Sequence, residues 1–221
     1  MFTHLVEFVN QMDESSAPGS PGPPRGPHRP PPGEEPRRDP EQTRSRLLRA
    51  AKAEFAEKGL AGARVAAIAE RAGVNKQLIS YHFGGKDGLY RALVERWLER
   101  EQAFAAEGAP LEELVLHYLD VAVEDPELVR LFVRQMLDGL PAGASPEPTD
   151  DLDDLRRRQD EGELAPELDP GFVLLLLQGV VTAGVSAPDD VRRLLGVAPN
   201  GPEYRERMAQ QLRVLVRRLR D

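Results

Sequence analysis

The sequence predicts an all-α fold, and three observations carry that expectation. Apolar residues recur at helical spacing in segment after segment, with glycine or proline at the breaks. Ala69, Gly73 and Ile79 stand in the order small, glycine, branched apolar, at the spacing that two helices crossing over a tight turn require. Phe172 to Ala187 is apolar apart from Gln178, Thr182 and Ser186, as suits a helix enclosed in an interior or an interface.

Of the 221 residues 40 % are hydrophobic, enough to build one large domain or two small ones. There is no cysteine, so neither a disulfide framework nor a thiolate metal site can form, which fits a reducing cytoplasm as the expected location. The net charge of −8 is unevenly spread: from Glu41 to Gly88 nine Lys and Arg stand against five Asp and Glu, a local +4 that leaves −12 elsewhere. A basic head on an acidic body attracts phosphate over about a Debye length, ~10 Å, and disfavours wrong orientations on DNA.

Residues 1–12, MFTHLVEFVNQM, put Phe2, Leu5, Val6, Val9 and Met12 on one helical face, without Lys or Arg for an anionic membrane and without a signal-cleavage pattern. Residues 13–40 hold ten prolines and four glycines, from which no packed core forms. Residues 1–40 are thus expected to be a disordered Pro/Gly-rich extension. It is either inert or, through Arg25, Arg29, Arg37 and Arg38, a source of non-specific DNA affinity.

A helix follows from Thr43, with Leu47, Leu48, Ala51, Phe55 and Ala56 inward and Gly59 as its stop. The next begins at Val65. Ala69 admits its partner helix, Gly73 supplies the positive φ that ends it, and Val74 plugs the turn. Asn75 is a good cap for a second helix from about Lys76 to Phe83, and Ile68, Val74 and Ile79 form the small core between the two. Lys76, Gln77, Ser80 and Tyr81 remain outside, donors and acceptors of the kind that read base edges and phosphates in a major groove.

The block from Thr43 to about Trp97, and RAGVNKQLISYHFGGKDGLYRAL within it, closely resembles the TetR family of bacterial transcriptional regulators. Its most specific part is Tyr81, His82 and Phe83 followed by Lys86. The resemblance implies a three-helix helix-turn-helix DNA-binding domain over residues 41–88 and a helical ligand-binding and dimerisation domain over 89–221. It implies Lys76, Gln77, Ser80 and Tyr81 at the groove beside Asn75, with His82 and Lys86 towards the DNA backbone. Two departures stand out. Ala63 and Arg64 occupy the place of a capping Thr or Ser, so that Arg64 reaches for the phosphate instead, and Ser80 replaces a common Tyr.

Further along, a helix is expected from Asp87 to about Ala106, ended by Gly108 and Pro110, and another over Leu111 to Glu124. Pro126 opens a third that runs to Asp138, residues 139–149 form a loop, and Asp150 to about Asp160 is a short charged helix. The segment Gln159 to Val181 again resembles the family, more loosely. Trp97, Phe104, His117, Tyr118, Phe132, Gln135, Met136 and Gln178 lie on inward stripes, either plain core or, as the resemblance implies, walls of a small-molecule effector pocket. The resemblance also implies a four-helix homodimer interface. Its candidates are Phe172, Leu176, Gly179, Val180 and Ala183, with Met208, Leu212, Leu215, Val216 and Leu219 of a last helix over Glu203 to Arg220.

Other chemistry finds little support. Phe83 to Lys86, FGGK, fails as a phosphate loop because Ser80 stands where the leading glycine belongs and Asp87 replaces the magnesium-binding Ser or Thr. Lys86 beside outward-pointing helix amides reads instead as a DNA phosphate clamp. His4, His28, His82 and His117 show no ligand spacing, so no metal is expected. No GxSxG, HExxH or paired-glycine fingerprint asks for an enzyme or a cofactor, and the apolar run of about 16 residues is short of the ~20 of a membrane span. The expected protein is a homodimeric transcriptional regulator, a repressor that leaves its palindromic double-stranded operator when an effector binds. The alternatives are a structural or adaptor DNA-binding protein without an effector and a small all-α enzyme.

Overall fold

The computed structural model describes residues 40–105, 108–138 and 150–220. The N-terminal extension, apart from Pro40, and the expected loop 139–149 lie outside the described residues. Among the described residues there are ten helices and no strand. They are α1 (Pro40–Gly62), α2 (Val65–Ala72), α3 (Gln77–Phe83), α4 (Lys86–Ala105) and α5 (Leu111–Glu124). Then follow α6 (Pro126–Asp138), α7 (Asp150–Asp160), α8 (Pro170–Ser186), α9 (Pro188–Leu195) and α10 (Pro202–Arg218).

Helix α1 is the hub of the N-terminal domain because its apolar residues face two ways. Leu47, Ala51 and Phe55 are fully buried, and the helix packs on α2, on α4 and, along its length, on α6. Phe55 meets Tyr90 of α4 edge to face, ring centroids 5.4 Å apart, a geometry that adds to the gain from burying both rings. Gly59 breaks the helical geometry at φ 70°, ψ 170°, after which one more turn runs to Gly62. Across the seam with α6, Lys52 binds both carboxylate oxygens of Asp125 at 2.8 and 2.6 Å. Asp125 also accepts the Leu128 amide at 3.1 Å, so one carboxylate caps α6 and straps α1 to the body.

The turn between α2 and α3 is built as its residues require. Gly73 sits at φ 63° and donates to the Glu70 carbonyl, while Val74 donates to that of Ala69, closing the end of α2. A side chain at Gly73 would strain that φ and press on the Arg46 guanidinium, 2.8 Å from where a Cβ would stand. Ile68 and Ile79 are fully buried between the helices and Val74 half-buried above them. The side-chain oxygen of Asn75 accepts the Gln77 amide at 2.9 Å and so satisfies an orphan donor of α3.

Helix α4 runs unbroken from the N-terminal domain into the body, where α5 packs on α8 and α10, and α6 on α8. Arg205 of α10 grips Asp120 of α5 through paired contacts of 2.7 and 2.9 Å. Arg158, 5 % exposed, is fully committed: it reaches Asp154, Glu163 and the Ala109 carbonyl, tying α7 to the entry of α5. Helix α9, Pro188–Leu195, was not among the expected elements, although its signals are in the sequence. Proline opens it, Asp189 and Asp190 fill its first turn, Arg192 and Arg193 its last, and Gly196 closes it at φ 70°. No single described helix is long and apolar enough to cross a membrane; α8 and α9 together reach that length but meet at 95°.

Two stability outcomes follow. Phe55→Ala removes a fully buried ring shared by α1 and α4 and should cost ~3–5 kcal/mol in urea unfolding. Asn75→Ala removes only the cap of α3 and should cost about 1 kcal/mol, with Asn75→Gly closer to wild type.

Candidate nucleic-acid interface and effector region

Burial divides α3 cleanly. Ile79 is fully buried against α2, whereas Tyr81 is 82 % exposed and Asn75, Lys76, Gln77 and Ser80 are also exposed. Gln77, Ser80 and Tyr81 follow one another along the outward face at helical spacing. They join an amide, a hydroxyl and a phenol to the Lys76 ammonium at the helix start, a set with donors and acceptors for base edges and phosphates. Arg64 is exposed just before α2 in extended backbone, φ −116°, ψ 126°, with no side-chain cap. The missing Thr or Ser is answered from elsewhere: the Arg64 amide donates to the Glu54 carboxylate at 3.4 Å.

Two residues of the signature have structural ties that the sequence did not disclose. Lys86 donates to the carbonyl oxygens of Ala61 at 3.3 Å and Ala63 at 3.5 Å. Its ammonium thereby meets acceptors where α1 ends, and with three protons it keeps a donor for the expected phosphate contact. His82 is half-buried, edge to face with Tyr81 at 5.1 Å and tilted against Phe83 at 6.2 Å. Arg44 of α1 was missed: its guanidinium lies 4.6 Å from the Phe83 ring centroid, a cation held at the end of α3 by the ring face. Glu54 was missed as well, a carboxylate 6 % exposed that lies 3.7 Å from Arg71. Its place beside Phe55 on the inward stripe of α1 was the available signal.

In the body, the residues expected to wall a pocket fall into two groups, with Gln178 and Met136 outside both. Trp97 and Phe132 are in contact with centroids 4.7 Å apart, and Gln135 receives the Tyr90 hydroxyl at 3.3 Å. Phe104 stacks on His117 at 3.9 Å, His117 faces the Glu101 carboxylate at 3.3 Å, and Tyr118 meets His117 edge to face. Burial, with the Glu101 carboxylate beside it, pushes the Tyr118 phenol well above its ordinary range, so it is a neutral donor. Gln178 is half-buried on α8. Met136 is 38 % exposed, which corrects its place among inward residues: the turn of α6 carries it past the core edge that Phe132 and Gln135 define. Of the set, Trp97 alone lines the cleft between α1, α4 and the α5–α6 break. Among the described residues no three His, Asp or Glu converge as a metal site.

The expected dimer residues also divide. On α8, Phe172 is 59 % exposed, Gly179 is exposed, and Leu176, Val180 and Ala183 are half-buried, while Leu175, not foreseen, is 70 % exposed. On α10, Met208 and Leu215 are half-buried beside an exposed Val214. Leu212, Val216 and Leu219 are at most 8 % exposed and belong to the protomer's own core, where α10 packs on α5. An apolar stripe gives a helix's inward side without saying which neighbour it meets, and these three meet their own protomer.

Residues 47–93 match a family model described as bacterial regulatory proteins, tetR family. The HTH-type transcriptional repressor SCO4008 of Streptomyces coelicolor is 30 % identical over 176 residues, spanning 75 % of this chain and 90 % of that protein. The A-factor receptor protein of Streptomyces griseus is 29 % identical over 58 % of this chain and 49 % of its own. The crystal structure of SCO4942 from Streptomyces coelicolor superposes with a TM-score of 0.60 at 29 % identity, covering 78 % of this chain and 97 % of that one. A helix-turn-helix with an outward reading face, an all-helical body and a repressor matched over 90 % of its length lead to one conclusion: the chain belongs to the TetR family of DNA-binding transcriptional regulators.

Proposed function

We propose that the protein is a homodimeric repressor that grips a palindromic operator with two copies of α3 and releases it when a small molecule binds in or beside the body. The observation that carries the DNA reading is the division of α3: Ile79 fully buried, Gln77, Ser80 and Tyr81 turned outward. In a two-fold dimer the two α3 helices lie about one DNA turn apart, ~34–36 Å, and read the same sequence in opposite orientation. Lys76 and Arg44 supply phosphate attraction at either end of α3, with Arg64 at the start of α2. Such a regulator acts in the bacterial cytoplasm, where its operator is.

The dimer reading rests on the apolar face that one protomer leaves open. Phe172 and Leu175 project from α8 at 59 % and 70 % exposure, and Gly179 and Ala183 on the same helix permit close helix approach. The effector reading is supported by a relative named as a receptor and by the polar residues Glu101, His117 and Gln135 set among the aromatics of the body. Helix α4 offers the lever, since it begins against α3 and ends beside His117. Binding alters DNA affinity only through different affinities for the gripping and releasing states.

Gln77→Ala should alter preference among operator base pairs by ~1–3 kcal/mol in competition anisotropy, whereas Lys76→Ala should weaken all sequences alike and lower the salt slope by about 1. Equal effects of the two substitutions on every duplex would count against base reading by Gln77. Leu175→Glu puts a charge into the open face of α8 and should shift sedimentation to the monomer while leaving the helical spectrum unchanged. A dimer that persists in that variant would move the interface off α8.

A further inference from the structure

The cleft between α1, α4 and the α5–α6 break lies apart from the outward face of α3 and from the Phe104–His117–Tyr118 group. It has a volume of about 240 Å³. One aromatic lines it, Trp97, 4 % exposed, and its rim carries Arg49 and Lys52 from α1 and Arg96 and Arg100 from α4 against a single carboxylate, Asp125. That carboxylate is already occupied with Lys52 and the Leu128 amide. Glu41, Glu95 and Glu99 flank Arg96 in the adjoining groove. Even so, no described carboxylate forms an ion pair with Arg49, Arg96 or Arg100. Three unneutralised guanidiniums thus stand around an indole and the apolar walls of Leu93 and Leu128, at the seam where α1 meets the body.

We propose that this cleft binds a small organic anion, a carboxylate or phosphate carrying an aromatic or apolar group, and that its occupation changes how the DNA-reading domain sits on the body. Guanidiniums from two helices are suited to forked hydrogen bonds with either anion, and the indole and leucines receive the apolar part. The arrangement spans the joint: an anion bridging Arg49 of α1 and Arg96 or Arg100 of α4 couples the two helices directly, and it competes with Asp125 for the Lys52 ammonium. Weakening that strap alters the packing of α1 on α6 and hence the placement of α3. This rests on the regulator reading given above and places a ligand site apart from the Glu101, His117 and Gln135 region named there.

Trp97 is the sole tryptophan of the chain, so intrinsic fluorescence reports on the cleft. Full-length protein is titrated with benzoate, with phenyl phosphate and with neutral benzamide. The Arg96→Gln/Arg100→Gln variant follows, its fold checked by circular dichroism. We expect a saturable change with at least one anion, benzoate and phenyl phosphate distinguishing the two chemistries, a weaker response to benzamide, and at least about a tenfold rise in Kd in the variant. Saturation with the better anion should change operator affinity at least about threefold. No saturable response to either anion, an equal response to benzamide, or an unaltered Kd in the folded variant would overturn the site, and saturation without a change in operator affinity would overturn the coupling. Operator binding measured without any anion keeps the two readings apart. Its absence would fail the regulator reading while the Trp97 titration still decides the cleft.

Discussion

The packing of α1 on three partners at once is the constraint on which the rest of the molecule depends. Leu47, Ala51 and Phe55 are sealed from solvent, Phe55 locks onto Tyr90 of α4, and Lys52 reaches across to Asp125 at the head of α6. The DNA-reading pair α2–α3 is small: Ile68 and Ile79 are its fully buried centre, with Val65, Val74, Leu78 and Phe83 half-buried around them. It meets the rest of the molecule through α1 and α4, on which it packs. A movement of α1 therefore carries the reading helix with it, and any ligand that alters the seam has a mechanical route to the DNA.

The charges follow the same division. Residues 41–88 carry a local +4 and the rest of the sequence −12, a division that favours approach to phosphate with the helix-turn-helix foremost. Close in, individual roles differ from what their charge alone suggests. Lys86 holds the last carbonyls of α1, and Arg158 is consumed by Asp154, Glu163 and Ala109. Arg49, Arg96 and Arg100 are the contrasting case, cations gathered at a cleft without ion pairs among the described residues.

Where a residue type answers one local steric demand, its role was legible in the sequence. Gly73 had to adopt positive φ, Asn75 had to cap, Ile68 and Ile79 had to fill the crossing, and each does. Helical spacing likewise located α4 to α8 and α10. Roles that depend on which element comes to lie opposite were not legible. Leu212, Val216 and Leu219 turn towards their own protomer, Met136 passes the edge of the core, and Lys86 finds the carbonyls at the end of α1. The cleft around Trp97 draws its cations from α1 and α4, segments about fifty residues apart, and no local pattern joins them.

The central claim is that two outward α3 faces read one two-fold-symmetric site. Fluorescence anisotropy over a salt series tests it most directly, with the purified protein against DNA flanking its own gene, an inverted repeat selected from the bound fragments, and that repeat with one half-site scrambled. The account predicts tight binding to the repeat with a steep salt slope, and a large loss of affinity when either half-site is scrambled. Equal affinity for intact and scrambled duplexes at every salt concentration would contradict it.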